Sequence, residues 1–190
     1  WVGPYSKNKV ETNFAYPDNG ALYWHAGYTL PAGASLKIHG QFPHARYMGI
    51  NSYYVGDKTA VNYAAPAHSI ADSAIVPEQG SINPFVQGAN RSSGHRNYEL
   101  TLAAGTTPEV VPANTVYSNA ESGERNVILY RVYVPDEGQN GMGGVDLPTP
   151  ELTLESGEVL TGKAACDALS VDTQLLETPF IPAATYAYLR

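Results

Sequence analysis

The residues with the most chemical reach in this chain sit in "FPHARYMGINSYYVGD", residues 42–57. It holds His44, Arg46, Asn51 and Tyr53 within one β-prone run. A histidine can move a proton near neutral pH, and Arg, Asn and Tyr can orient and stabilise a polar substrate. That set would serve a hydrolase acting on a saccharide or an ester. The competing expectation is a core strand whose polar residues are structurally satisfied, entered by a turn at Phe42-Pro43.

Four further groups carry chemistry. Arg131 and Tyr133 lie in the apolar run "NVILYRVYV". An arginine there needs a carboxylate, backbone carbonyls or an anionic ligand, because burying an unpaired charge is costly. "PDEGQNGMGGVD" offers Asp136, Glu137, Asn140 and Asp146 in a Gly-rich loop, and several oxygens on a flexible loop suit calcium. It lacks the EF-hand spacing, and local Asp and Asn turns are the plainer account. His25 and His39 fall on the polar side of two successive strands and could meet across a hairpin to start a metal site, although no HxH occurs. The carboxylates Asp57, Asp72, Glu78 and Glu99 show no spacing that would face two of them across a cleft.

Other chemistries find no motif. There is no GxSxG elbow, and the single cysteine, Cys166, has no His nearby in sequence. Cys166 has no internal partner for a disulfide. Asn90–Ser92 is one isolated glycosylation sequon. The 14 tyrosines combine apolar area with a polar tip, which suits sugars and protein surfaces, although many alternate inward.

The elements that must position these groups follow from composition and period. Hydrophobic residues make up 43% of the 190, charged residues only 15%, and the 18 Gly and 14 Pro are spread along the chain. This favours many short strands and turns. With a formal net charge of -7 and no basic run, nucleic acid is excluded as an expected partner. No apolar run is long enough to span a membrane as a helix.

Residues 1–20 read as an irregular arm. "ALYWHAGYTL" and "SLKIHG" alternate with period two and suggest a hairpin across "PAGA". A strand runs over 46–54, with Met48 and Ile50 on one face and Tyr47, Asn51 and Tyr53 on the other. Gly49 in mid-strand signals a bulge or a close approach. Residues 55–95 read mainly as loop, with "DSAIVPE" as a short strand. "NYELTLAAG" is a clean strand, "NTVYSNA" a weak one, and Val127–Val134 the central strand, covered on both faces. "PELTLESGEVL" gives a strand and turn, and "GKAACDALSV" a short helix. The domain limits expected are an arm over 1–20, a β domain over 21–157, and a helix with an extended tail over 158–190.

Taken together, "FPHARYMGINSYY", "GSINPFVQGANR", "NVILYRVYVPDEGQNGMGGVDLPTPEL" and "GKAACDAL" resemble a family of uncharacterised, exported bacterial β-sandwich proteins. They are also distantly similar to the jelly-roll half of two-domain bacterial proteins of unknown function. The resemblance covers roughly residues 13–170 and implies a β-sandwich but no activity. It also implies a second β-rich half, which Cys166 or the tail would contact.

The sequence thus predicts an all-β, antiparallel two-sheet sandwich or jelly roll with one short C-terminal helix, secreted or periplasmic. The expected function is an extracellular binding or structural module. A saccharide or ester hydrolase and a subunit of a surface assembly or filament are the alternatives. No motif specifies a cofactor, calcium is the candidate ion, and a second half or further copies of the chain are the candidate partners.

Overall fold

A computed structural model of the chain describes residues 1–5, 20–55 and 65–169. The strands are β1 (Val2–Tyr5), β2 (Ala21–Thr29), β3 (Ser35–Gln41), β4 (Ala45–Tyr54), β5 (Ala65–Ala71), β6 (Asn97–Ala103), β7 (Thr115–Tyr117), β8 (Arg125–Pro135), β9 (Thr149–Thr153) and β10 (Val159–Thr161), followed by helix α1 (Gly162–Ala168). They form two five-stranded sheets. Sheet A has the order β1-β2-β8-β4-β5 and sheet B the order β10-β9-β3-β6-β7. Every pairing is antiparallel except β6 with β7. The described chain is therefore mostly β with one short helix, as its alternation predicts.

Period two decides which face of each strand is buried. In β6, Tyr98, Leu100 and Leu102 are buried while Glu99 and Thr101 are half-exposed. In β8, Asn126, Ile128, Tyr130 and Val132 are buried, and Leu129, Arg131 and Tyr133 form the other row. Both sheets contribute to one hydrophobic cluster: Trp24, Ile50 and Tyr130 from sheet A, Leu36, Leu100 and Leu152 from sheet B. Each such side chain contributes about 1.5–3 kcal/mol through removal of apolar area from water. Helix α1 adds Ala165 to this cluster, and Leu169 accepts the Thr29 N–H at 3.2 Å.

The structure corrects four expectations. The first is the hairpin: β2 pairs with β1 and β8, whereas β3 pairs with β6 and β9. The segment between β2 and β3 therefore carries the chain from one sheet to the other. Both strands have an apolar row, and each row is buried in the shared core without the two strands pairing. Second, the arm begins with a strand, β1, whose Val2 lies opposite His25. Third, the 55–95 region contains β5, which lacks a clean alternation because Pro66 and small residues interrupt it. Fourth, "DSAIVPE" is a 3-10 turn over Asp72–Ala74 followed by an isolated bridge from Pro77 to Tyr98. The extended tail expected after the helix lies outside the described residues from 170 on, as do Asp57 and most of the arm. Among the described residues, no helix is long and apolar enough to cross a membrane.

Candidate functional site

Strand β8 is central in sheet A, so its outward row is flanked by side chains from β2 and β4. The register places Arg131 between Tyr23 and Gly49, and Tyr133 beside Tyr47. Tyr47 and Tyr133 flank the arginine: its guanidinium carbon lies 5.5 Å from the Tyr47 ring centroid and 5.9 Å from that of Tyr133. Arg131 Nη2 donates to the Tyr47 hydroxyl at 3.3 Å. The hydroxyls of Tyr23 and Tyr133 are 2.7 Å apart, and the Tyr133 ring meets Tyr23 and Tyr47 edge-on.

The glycine in the middle of β4 makes this arrangement fit. A Cβ at Gly49 would come within 2.6 Å of the Tyr47 hydroxyl and 2.9 Å of Arg131 Nε. The close approach expected at this glycine is real, and the groups approaching are the Tyr47 hydroxyl and the arginine. Burial works against the Arg131 charge, but the surrounding hydroxyls of Tyr47, Tyr133 and Tyr53 outweigh it and hold its pKa above the ordinary arginine value. Among the described residues Arg131 has no carboxylate partner. Its Nε is buried without a hydrogen-bond partner, and so is Asn51 Oδ1 on the same face of β4.

The set His44, Arg46, Asn51 and Tyr53 is not assembled into one site. His44 precedes β4 under the Gly143–Gly144 turn, donating its backbone N–H to Gly143 O at 2.8 Å and accepting from Asp136 N–H at 2.9 Å. Its pKa is lowered by burial first and by Arg96 next. Arg46 is exposed. Asn51 and Tyr53 lie further along β4, on the order of 20 Å from its start at ~3.3 Å per residue. Of the four, Asn51 and Tyr53 belong to the Arg131 face.

The loop after β8 uses its polar groups locally. Asp136 pairs with Arg91 at 3.5 Å. Asn140 Oδ1 accepts the N–H groups of Met142 and Gly144 at 3.0 and 2.9 Å. Glu137 and Asp146 are exposed. Among the described residues, no three His, Cys, Asp or Glu side chains are grouped to hold a metal ion. His25 and His39 stand on different sheets, so the pairing expected across a hairpin does not form. His39 faces Glu151 at 3.4 Å and Glu99 at 3.7 Å, within a surface ion-pair group that includes Lys37–Glu99 at 2.8 Å. Cys166 is free and exposed. Asp72 accepts the backbone N–H groups of Met48 and Ser73, and burial nevertheless raises its pKa.

Two contributors to the arginine face were not singled out as site residues in the sequence: Tyr47 and Tyr23. The signal for Tyr47 was present, since it shares a strand face with Asn51 and Tyr53. The signal for Tyr23 was not, because it depends on β2 pairing with β8, 110 residues away.

No family model matches the chain, and no curated protein matches it. Among solved structures, an uncharacterised protein from Burkholderia cenocepacia is similar at 14% identity with a TM-score of 0.42, over 90% of this chain. This chain spans 34% of the length of that protein. A likeness at that level carries no functional argument.

Proposed function

We propose that the chain is an extracellular binding module of β-sandwich, jelly-roll type. Its ligand face is the outward side of sheet A around Arg131, Tyr47, Tyr133 and Tyr23. One observation carries the reading: a cation on the central strand is held by tyrosine rings and a hydroxyl, with no carboxylate among the described residues to neutralise it. Arginine forks match carboxylates in geometry, and such charge-assisted bonds are roughly twice as strong as neutral ones. Tyrosines add flat apolar area and hydroxyls suited to a polyol. An acidic saccharide uses both features, so a uronic-acid oligomer is the ligand class of choice.

Calorimetric titration with oligogalacturonate against a neutral glucan of equal length tests this. The acidic oligomer binds, the neutral one binds at least about tenfold more weakly, and Arg131→Gln abolishes the difference. Equal binding of the two oligomers, or an unchanged preference in Arg131→Gln, refutes the reading.

A further inference from the structure

Between the two sheets, at the end of the core beside α1, the described residues line a partly open cavity of about 190 Å³. Tyr28 and Ile128 of sheet A and Leu36, Ile38 and Leu102 of sheet B form its apolar walls. Trp1 and Cys166 also line it. The Cys166 side chain is exposed, so the cavity reaches the surface beside the helix. The Trp1 indole N–H is already committed to Pro148 O at 2.6 Å.

One wall group does not match the rest. Asn126 heads the inward row of β8 and is 2% exposed, yet its Oδ1 has no hydrogen-bond partner. Its Nδ2 reaches Glu124 O only at 3.4 Å. Leaving a buried polar atom unmatched costs about 1–3 kcal/mol. The terminal torsion of an asparagine is broad, so the amide of this lining residue can rotate to present Oδ1 to the cavity.

Water fits this space poorly. A cavity of this volume would take several waters, and each needs two to four polar partners. Among the described residues the walls are mostly apolar, with Asn126 and the Tyr28 phenol as the buried polar side chains and half-exposed Arg125 as the one charged lining residue. Apolar cavities of about 150 Å³ stay dry and accept benzene. We propose that this cavity is a binding site for a small apolar molecule of about one aromatic ring, carrying a single hydroxyl that donates to Asn126. It is independent of the arginine face: the two sites share no residue and take opposite ligand chemistries.

Phenol, toluene and anisole serve as probes on the full chain, since they share a ring and differ in the hydroxyl. Two readouts report occupancy: tryptophan emission, because Trp1 lines the cavity, and the rate at which a disulfide reagent modifies Cys166. Phenol saturates at one equivalent, shifts the emission and slows Cys166 modification, with roughly fivefold tighter binding than toluene or anisole, as one neutral hydrogen bond supplies. Asn126→Leu brings the three affinities together. If that variant does not fold, the phenol-to-anisole ratio on the unaltered chain still decides. Equal affinities there, no saturable binding, or emission changes without protection of Cys166 would each overturn the proposal.

Discussion

Arg96 and Arg131 are both arginines without a close carboxylate among the described residues, but their surroundings differ. Arg96 is 3% exposed, and its fork is closed by carbonyls: Nη1 donates to Phe42 O at 2.8 Å, Nε to Ser93 O at 2.9 Å, and Nη2 to Arg91 O. It ties the segment before β6 to the start of β4. Arg131 lies half-buried between rings, with one hydroxyl as its only hydrogen-bond partner among the described residues. An arginine whose donors all end on backbone is a structural clamp. One held by aromatic walls keeps donors for a ligand.

The largest effect expected from this contrast is on stability. Arg96→Met leaves the carbonyl of fully buried Phe42 unmatched and removes three charge-assisted bonds, a loss of about 3 kcal/mol or more. Arg131→Gln costs less, about 1–2 kcal/mol, since one hydroxyl bond and two ring contacts are lost and no buried carbonyl is left unmatched. Urea unfolding of both variants measures the difference, and comparable losses would erase the distinction between clamp and ligand group.

Acid sharpens the comparison next. His25 lies on the same outward face of β2 as Tyr23, is 8% exposed, and has its pKa lowered by burial to about 4 from 6.5. The folded state therefore holds His25 neutral where the unfolded chain already binds the proton. Stability is present above pH 6.5 and declines as pH falls towards 4, below which both states are protonated. Unfolding midpoints across that window should show this slope, and His25→Gln should flatten it. A slope unchanged in the variant would show that this part of the face is not dehydrated.

The smallest effect tests the fit of the arginine. Gly49→Ala puts a methyl against the Tyr47 hydroxyl and Arg131 Nε, both of them far ends of flexible side chains. The expected stability loss is about 1 kcal/mol or less, while binding of an acidic oligomer weakens several-fold because the guanidinium moves. Calorimetry on this variant separates the two, and unaltered affinity would mean that the arginine's position is not set by this strand.

These contrasts explain what was legible in the sequence. Strands with an uninterrupted alternation, such as Tyr98-Leu100-Leu102, were readable because burial of one face fixes the period. β5 was not, since Pro66 and several small residues blur its pattern. Pairing partners were less legible still: the same alternation in β2 and β3 fits a hairpin or two different sheets, and only the packing of both apolar rows into the core decides. The candidate site inherits that ambiguity. Asn51 and Tyr53 were placed on the correct face of β4, but their neighbours come from β2 and β8, which the local pattern cannot supply. Asn126 was hidden for a related reason. A lone polar residue at the head of an apolar row carries little weight until the cavity beside it is known.

The crossing from β2 to β3 has a kinetic consequence. Tyr23 must wait for Tyr133, 110 residues later, before its strand gains that neighbour. At ~5–20 residues per second a ribosome needs roughly 5–20 s to supply it. During that interval β2 carries an open edge, and sheet A has no centre until β8 emerges. Folding dominated by such distant pairings belongs in the millisecond-to-second range.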